Sequence, residues 1–244
     1  MKKLNLETAE MLAAKMRGEL LRVSGSEPVN MKTMLRQLNV MTIYRPLSDS
    51  LFGLSLQTHD RKHKFMLVNS NSRRGRQHYT IAHELYHLYY DENPKVHFCE
   101  NSTQTDPSER SANLFASALL MPKEGLLQNV PSEEIVRKEV GIDTLLRLEQ
   151  LYGVSHTSLV LRLKELRVIN PSYSEKMLAL SVTHEAALRG FDSDLYSPGN
   201  EGLVIGDFGT KAHKLFEEER ISEGHYIELL NMIGYGKGEG CIGC

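Results

Sequence analysis

The pattern of apolar and polar positions divides the chain into a helical lead, a short group of strands and a long helical remainder. Over residues 6–23, Leu12, Met16, Leu20 and Val23 recur on one face at helical spacing, which predicts an amphipathic helix. Gly25 and Pro28 end it, and Met31, Met34, Leu35 and Leu38 mark a shorter helix. The methionines read as core fillers. The period then falls toward two over 40–44, 51–57 and 65–69, with 46–50 and 59–64 as polar connectors. That predicts a small antiparallel meander. Residues 77–91 return to the helical period, with Ile81, Leu85, Leu88 and Tyr89 on one face. The stretch 91–105 is polar and without period, and so reads as a long loop. Helix is expected again over 107–120, stopping at Pro122, and over 132–140, 142–152, 155–167, 174–189 and 207–232. Five glycines in the last eleven residues predict a frayed tail.

This succession predicts an α+β fold, a three-stranded antiparallel sheet packed on helix 77–91 with additional helices around it. Composition changes the picture mainly by exclusion. With 41% hydrophobic and 25% charged residues, the chain falls in the ordinary globular range. A net charge of −2 gives no overall attraction to nucleic acid or an anionic membrane. No apolar run approaches the ~18 residues that span a bilayer. The start, Met1-Lys2-Lys3, resembles a signal n-region, but Glu7, Glu10, Lys15 and Arg17 interrupt the apolar segment that would have to follow. Cys99, Cys241 and Cys244 are too few for a disulfide framework, so a cytoplasmic protein with reduced thiols is expected.

The strongest chemical signal is His83-Glu84-Leu85-Tyr86-His87. Histidines at i and i+4 share one helix face, so both imidazoles can converge on one tetrahedral Zn²⁺, and a glutamate directly after the first can serve as general base. A third ligand is needed. A histidine six residues after His87 would supply it in one class of such sites, but Asn93 stands there. The alternative is a glutamate on a downstream helix. Asp106-Pro107-Ser108-Glu109 opens such a helix, with Asp at the N-cap and Pro at N1. Glu109 at N3 is equally what a capping box uses, and spacing alone leaves both roles open. His97, Cys99, Glu100 and Asp106 are rival ligands in the preceding loop, and Asn113 is placed to support a ligand.

The run from Arg76 to His87, the segment Glu109-Arg110-Ser111-Ala112-Asn113-Leu114-Phe115-Ala116 and Leu119-Leu120-Met121-Pro122 together resemble the ImmA/IrrE family of metallopeptidases. The strands around Gly53-Leu54-Ser55-Leu56 and Leu67-Val68-Asn69 are similar too, and the likeness runs over about residues 28–170. The resemblance implies a zincin-like domain over 1–125, a helical extension over 126–170 and a C-terminal region over 171–244. It implies His83, His87 and Glu109 as ligands of Zn²⁺, with Mn²⁺ as the alternative, and Glu84 as catalytic base. It further implies a protein substrate, a helix-turn-helix repressor cut to switch on mobile-element or stress genes. The alternative is a metal-binding regulator that holds a repressor without cutting it. Tyr79 replaces the usual Phe, and Tyr86 stands where the family has a small residue, which is expected to narrow the cleft.

Other features carry less chemistry. Residues 142–166 read as helix, tight turn, helix, but 133–167 balance six basic against six acidic residues, which leaves no electrostatic footprint for DNA. A structural or docking role is expected there. Arg61, Lys62, Lys64, Arg73, Arg74 and Arg76 form a local basic cluster suited to a solvated loop, or to docking an acidic substrate segment or nucleic acid. Cys241 and Cys244 form a lone CxxC without inferred role, and His184 and His225 are candidate oxyanion stabilisers.

Overall fold

The computed structural model describes residues 4–91, 96–100 and 106–234. It is an α+β fold with twelve α-helices and a five-stranded mixed sheet among the described residues. The chain begins with α1 (Leu6–Lys15), α2 (Met31–Gln37), β1 (Val40–Arg45), β2 (Leu51–Gln57), β3 (Lys64–Asn69) and α3 (Arg74–Tyr90). It continues through β4 (His97–Glu100), α4 (Pro107–Leu120), α5 (Lys123–Asn129), α6 (Ser132–Arg137), α7 (Ile142–Tyr152) and α8 (His156–Glu165). After α9 (Pro171–Leu178) and α10 (Val182–Leu188), β5 (Val204–Ile205) returns to the sheet, followed by α11 (Phe208–Glu217) and α12 (Glu223–Met232).

The expected three-stranded antiparallel sheet is corrected in two ways. The order is β4-β2-β3-β1-β5, so β3 lies between β1 and β2, and β1 pairs with β3 in parallel. Only β2 and β3 form the expected hairpin. The reason lies in the crossing connector. Asn69, buried at the end of β3, donates to Ser48 O and Leu51 O and accepts from Leu47 N–H. Those bonds hold 46–50 across the end of β3, whose Met66 and Val68 are fully buried and take the centre. The two added strands are four and two residues long, too short to announce themselves by alternation.

Register sorts the inner face of the sheet into rungs. One rung reads His97, Ser55, Met66, Thr42, Ile205, and the next reads Cys99, Gly53, Val68, Tyr44. The β1–β3 end is apolar and joins the main core, whereas the β2–β4 end carries a histidine, a serine and a thiol. Helix α3 packs on β2 and β3 and is covered by α4, on which α1 lies.

The lead helix also departs from expectation. After α1 the chain runs as a π turn over Met16–Leu21 and ends at Arg22 in the left-handed region. The extra residue per turn rotates Leu20 outward, where it is 45% exposed, and turns Arg17 inward. Arg17 is held there by its two terminal nitrogens, which donate to Leu119 O at 2.7 Å, to Ser24 O at 2.6 Å and to Glu27 O, while its buried Nε has no partner. The segments 174–189 and 207–232 are each split into two helices, and α5 is an addition.

A buried polar network ties α7, α8 and α9 together. His156 Nδ1 lies 2.6 Å from Glu149 Oε1, and its Nε2 lies 2.9 Å from Met177 O, while Tyr196 donates to Glu149 Oε2. Burial alone would lower the His156 pKa, but the bonds to Glu149 and Met177 outweigh it and raise it above its ordinary 6.5. A histidine raised on folding stabilises the fold fully below about pH 6.5 and loses that contribution as pH climbs through its folded value. Urea unfolding at pH 6 and pH 9 should therefore show a larger loss of stability in the native chain than in Glu149→Gln. Equal losses would remove His156 from the account.

Candidate metal centre

Helix α3 is buried along most of its length, which is unusual for a helix carrying so many polar residues. Its first turn is fastened by side chains. Gln77 Nε2 donates to Ser72 O at 2.7 Å and to Gly199 O at 3.0 Å, and its Oε1 accepts from Asn200. His78 Nδ1 meets Gly153 O at 2.7 Å. Gly75 lets α3 touch the start of α8, because a Cβ there would lie 2.7 Å from Ser155 N. Gly53 does the same for β2, where a Cβ would lie 2.8 Å from Thr80 Cγ2. With β2 so close, Ser55 Oγ reaches Glu84 Oε2 at 2.5 Å.

The helical spacing then brings His83 and His87 together, Nε2 to Nε2 at 3.2 Å. Each Nδ1 faces an oxygen acceptor, Asn113 Oδ1 at 3.0 Å for His83 and Asp91 Oδ2 at 2.6 Å for His87. Nδ1 donation fixes both tautomers and leaves two Nε2 lone pairs converging on one point. Asp91 is itself held, accepting from Ser108 Oγ at 3.2 Å.

Glu109 completes the set from α4. Asp106 caps that helix, accepting from Ser108 N–H at 2.8 Å, and the Glu109 carboxylate turns into the cleft. Its Oε2 lies 3.2 Å from His83 Nε2 and its Oε1 lies 3.4 Å from His87 Nε2. A tetrahedral site with bonds of about 2.1 Å has donor–donor edges of about 3.4 Å, so these spacings fit a small divalent cation. His97, Asn113 and Asp91 complete a donor set of imidazole and carboxylate with oriented outer partners, which suits zinc.

One rival ligand also enters. His97 Nε2 lies 2.6 Å from Glu109 Oε1, its Nδ1 lies 3.1 Å from both Glu84 oxygens, and its ring stacks on His87 at 3.5 Å. His83, His87, His97 and Glu109 place one donor atom each within 4.8 Å of all the others. Burial would lower the His97 pKa, but the bonds to Glu109 and Glu84 outweigh it and push it up to about 10. Burial would raise Glu109, yet the close approach of His83 and His97 holds it well below the usual carboxylate range. Cys99 sits beside His83 and Glu84, and burial first, then the two carboxylates, push its thiol well up.

The remaining expectations separate. Glu100 points outward and Asp106 is an exposed cap. Tyr86 does not narrow the cleft: it is 3% exposed and packs on Phe115 and Tyr90, on the α4 side of α3. His184 and His225 are exposed on α10 and α12, outside the donor cluster. The basic cluster is divided, with Lys62 on Asp60, Arg74 on Asp194, Lys64 over Tyr89 and Arg76 over Phe52. Asn93, Cys241 and Cys244 lie outside the described residues. Arg73, Arg76 and Arg110 line a cavity of about 760 Å³ that reaches Tyr79 and Asn113, the residue that orients His83. Sequence reasoning missed Ser55 and Asp91. The i, i+4 spacing of Asp91 from His87 was the available signal for the second.

Residues 35–164, more than half of the chain, match the model of a peptidase family described as the IrrE N-terminal-like domain. No curated protein matches the chain.

The donor geometry gives a direct expectation. The purified chain should take up one equivalent of zinc by elemental analysis, and His83→Ala should take up essentially none. Asp91→Ala and Asn113→Ala, which free one imidazole each, should weaken zinc affinity by about 10–100-fold. Equal metal content in native chain and His83→Ala would remove the site.

Proposed function

Since the chain belongs to the ImmA/IrrE family of metallopeptidases, we propose that it is a cytoplasmic, zinc-dependent endopeptidase that cuts a helix-turn-helix repressor. The observation that carries this reading is the convergence of His83, His87 and Glu109 beside the buried carboxylate of Glu84, which stands outside that donor cluster. His83, His87 and Glu109 would hold the cation, with Mn²⁺ as the alternative to Zn²⁺. A divalent cation in such a set supplies Lewis-acid polarisation and makes water a better nucleophile near neutral pH.

Glu84 carries the proton chemistry. It takes a proton from the attacking water on a carboxylate oxygen and returns it to the nitrogen of the leaving amine. Ser55 donates to Oε2 and so fixes the carboxylate plane. Burial removes competing water, which strengthens every polar contact in the site. An extended substrate segment would pair with β2, the strand that carries Ser55, along the side that β4 occupies in this structure. A repressor is proposed from the family alone, and derepression of mobile-element or stress genes follows from it. Helices α7 and α8 take no DNA role in this reading. In α8, His156, Leu159, Val160, Arg162 and Leu163 are buried, so the helix gives most of its surface to the protein.

A second reading, a metal-binding regulator that holds a repressor without cutting it, draws on one observation: His97 stands between Glu84 and Glu109.

Glu84→Gln separates the two. Gln matches the shape but cannot accept the proton, so cleavage of a helix-turn-helix repressor cut by the native chain should fall by about 10²–10⁴-fold. Zinc content and repressor binding should stay at the native level. Cleavage at the native rate in Glu84→Gln would defeat the mechanism, and tight binding with no cleavage by either form would favour the regulator.

A further inference from the structure

The segment that fills the front of the donor cluster belongs to this chain. Strand β4 pairs antiparallel with the outer edge of β2, with His97 opposite Ser55 and Cys99 opposite Gly53. Strand alternation turns His97 and Cys99 inward and leaves Phe98, 53% exposed, and Glu100 outward. The edge that an extended peptide would use to reach Glu84 is therefore already paired.

His97 also occupies the reacting position itself. A scissile carbonyl and its attacking water must lie within hydrogen-bond reach of Glu84 and beside Glu109. The His97 ring spans those two carboxylates, 3.1 Å from one and 2.6 Å from the other, leaving no room for a third group between them. Its stacking on His87 and its place among the four donors give it the position of a fourth ligand, once Nε2 has lost its proton to solvent and turned from Glu109 toward the cation. A metal site with three protein ligands keeps an opening for water and substrate, whereas a four-ligand tetrahedral site is closed.

We infer that β4 is a built-in occupant of the substrate edge, with His97 as a fourth metal ligand that closes the site until β4 is displaced by an entering strand. This rests on the metallopeptidase reading above and adds a latent state to it. The strand is suited to exchange. It is four residues long, at the sheet edge, and its outward side chains are exposed, so little apolar burial resists its departure. The donors that must stay, His83, His87 and Glu109, stand on the two long helices α3 and α4.

The test uses the full chain loaded with Co²⁺, whose visible absorption reports coordination number, and acetohydroxamic acid as a small probe for an open metal position. The native protein should show a four-coordinate spectrum that resists the probe. In His97→Ala, zinc affinity should fall by about tenfold or more, and the probe should bind at least about tenfold more tightly. His97→Gln keeps a polar side chain of similar reach but ligates poorly, and it should behave as His97→Ala does. Native-like zinc affinity and probe resistance in both variants would overturn the inference. So would a native Co²⁺ protein that already binds the probe as readily as the variants do. His83→Ala keeps the two readings apart. If it retains zinc, the metal centre itself fails; if it loses zinc while the His97 variants behave as native, only the latent state fails.

Discussion

Two imidazole nitrogens facing each other at 3.2 Å set the terms for everything around them. With Nδ1 of each ring donating outward, both Nε2 atoms present lone pairs to the same point, and two lone pairs at that distance repel. Such an arrangement is held only by a rigid frame and made favourable only by a positive centre between the donors. The frame is visible. Asn113 and Glu109 come from α4, Asp91 ends α3, and Ser108 in the first turn of α4 donates to Asp91. The same helix start that caps α4 thus supplies one donor and steadies another's partner. Holding two carboxylates, buried Glu84 and partly buried Glu109, against one histidine is costly unless they are bonded or matched by positive charge. Ser55 bonds one and His97 bridges both, which explains why the polar residues of the sheet gather at its β2–β4 end.

The anchoring of α3 explains how a short, polar helix face is presented at fixed depth. At its start, Arg74 pairs with Asp194, Arg73 bridges to Pro198, and Gln77 gathers carbonyls from both sides of the chain. The turn between α7 and α8 adds His78 and Gly75 contacts. Helix α8 is in turn fixed by Arg162, which donates to Met121 O and meets Glu10 and Glu165. The helix-turn-helix-like pair therefore works as a brace for the site. Its balanced charge and buried α8 agree with that use, and the protein-facing side chains leave Leu151 and Leu161 as its exposed large apolar residues.

What the sequence made legible follows from which signals are local. The α3 helix and the His83-Glu84-His87 face were readable because period and spacing both lie within one element. The α4 start was readable as a helix N-terminus, but whether Glu109 bonds its own cap or turns away depends on what stands opposite, and His83 stands opposite only in three dimensions. Neighbour order in the sheet was not readable, because Asn69 sets it through bonds to a connector some twenty residues earlier. Strand β4 escaped for a different reason. Its inward residues are His97 and Cys99, so a pattern that seeks apolar alternation sees a polar loop. Arg17 misled similarly: a charged residue in an amphipathic pattern reads as solvent-facing, whereas three backbone carbonyls hold it inside the π turn.

These failures share a cause that bears on function. Each misread element places polar side chains inside, against partners distant in sequence, and a polar group is buried only where such partners exist. The rule identifies where the fold gives up apolar packing for something else. Arg17 and Asn69 fix neighbouring segments, and their bonds are to backbone carbonyls and backbone N–H groups. His97 is of another kind, since its partners are the carboxylates of the site and the ring of His87. A residue kept there for stability alone would be matched by a strand with its own apolar anchorage, yet Phe98 and Glu100 face solvent. Strand β4 is thus held mainly by its ladder to β2 and by the very groups that a substrate would need, so whatever competes for Glu84 and Glu109 also competes for β4.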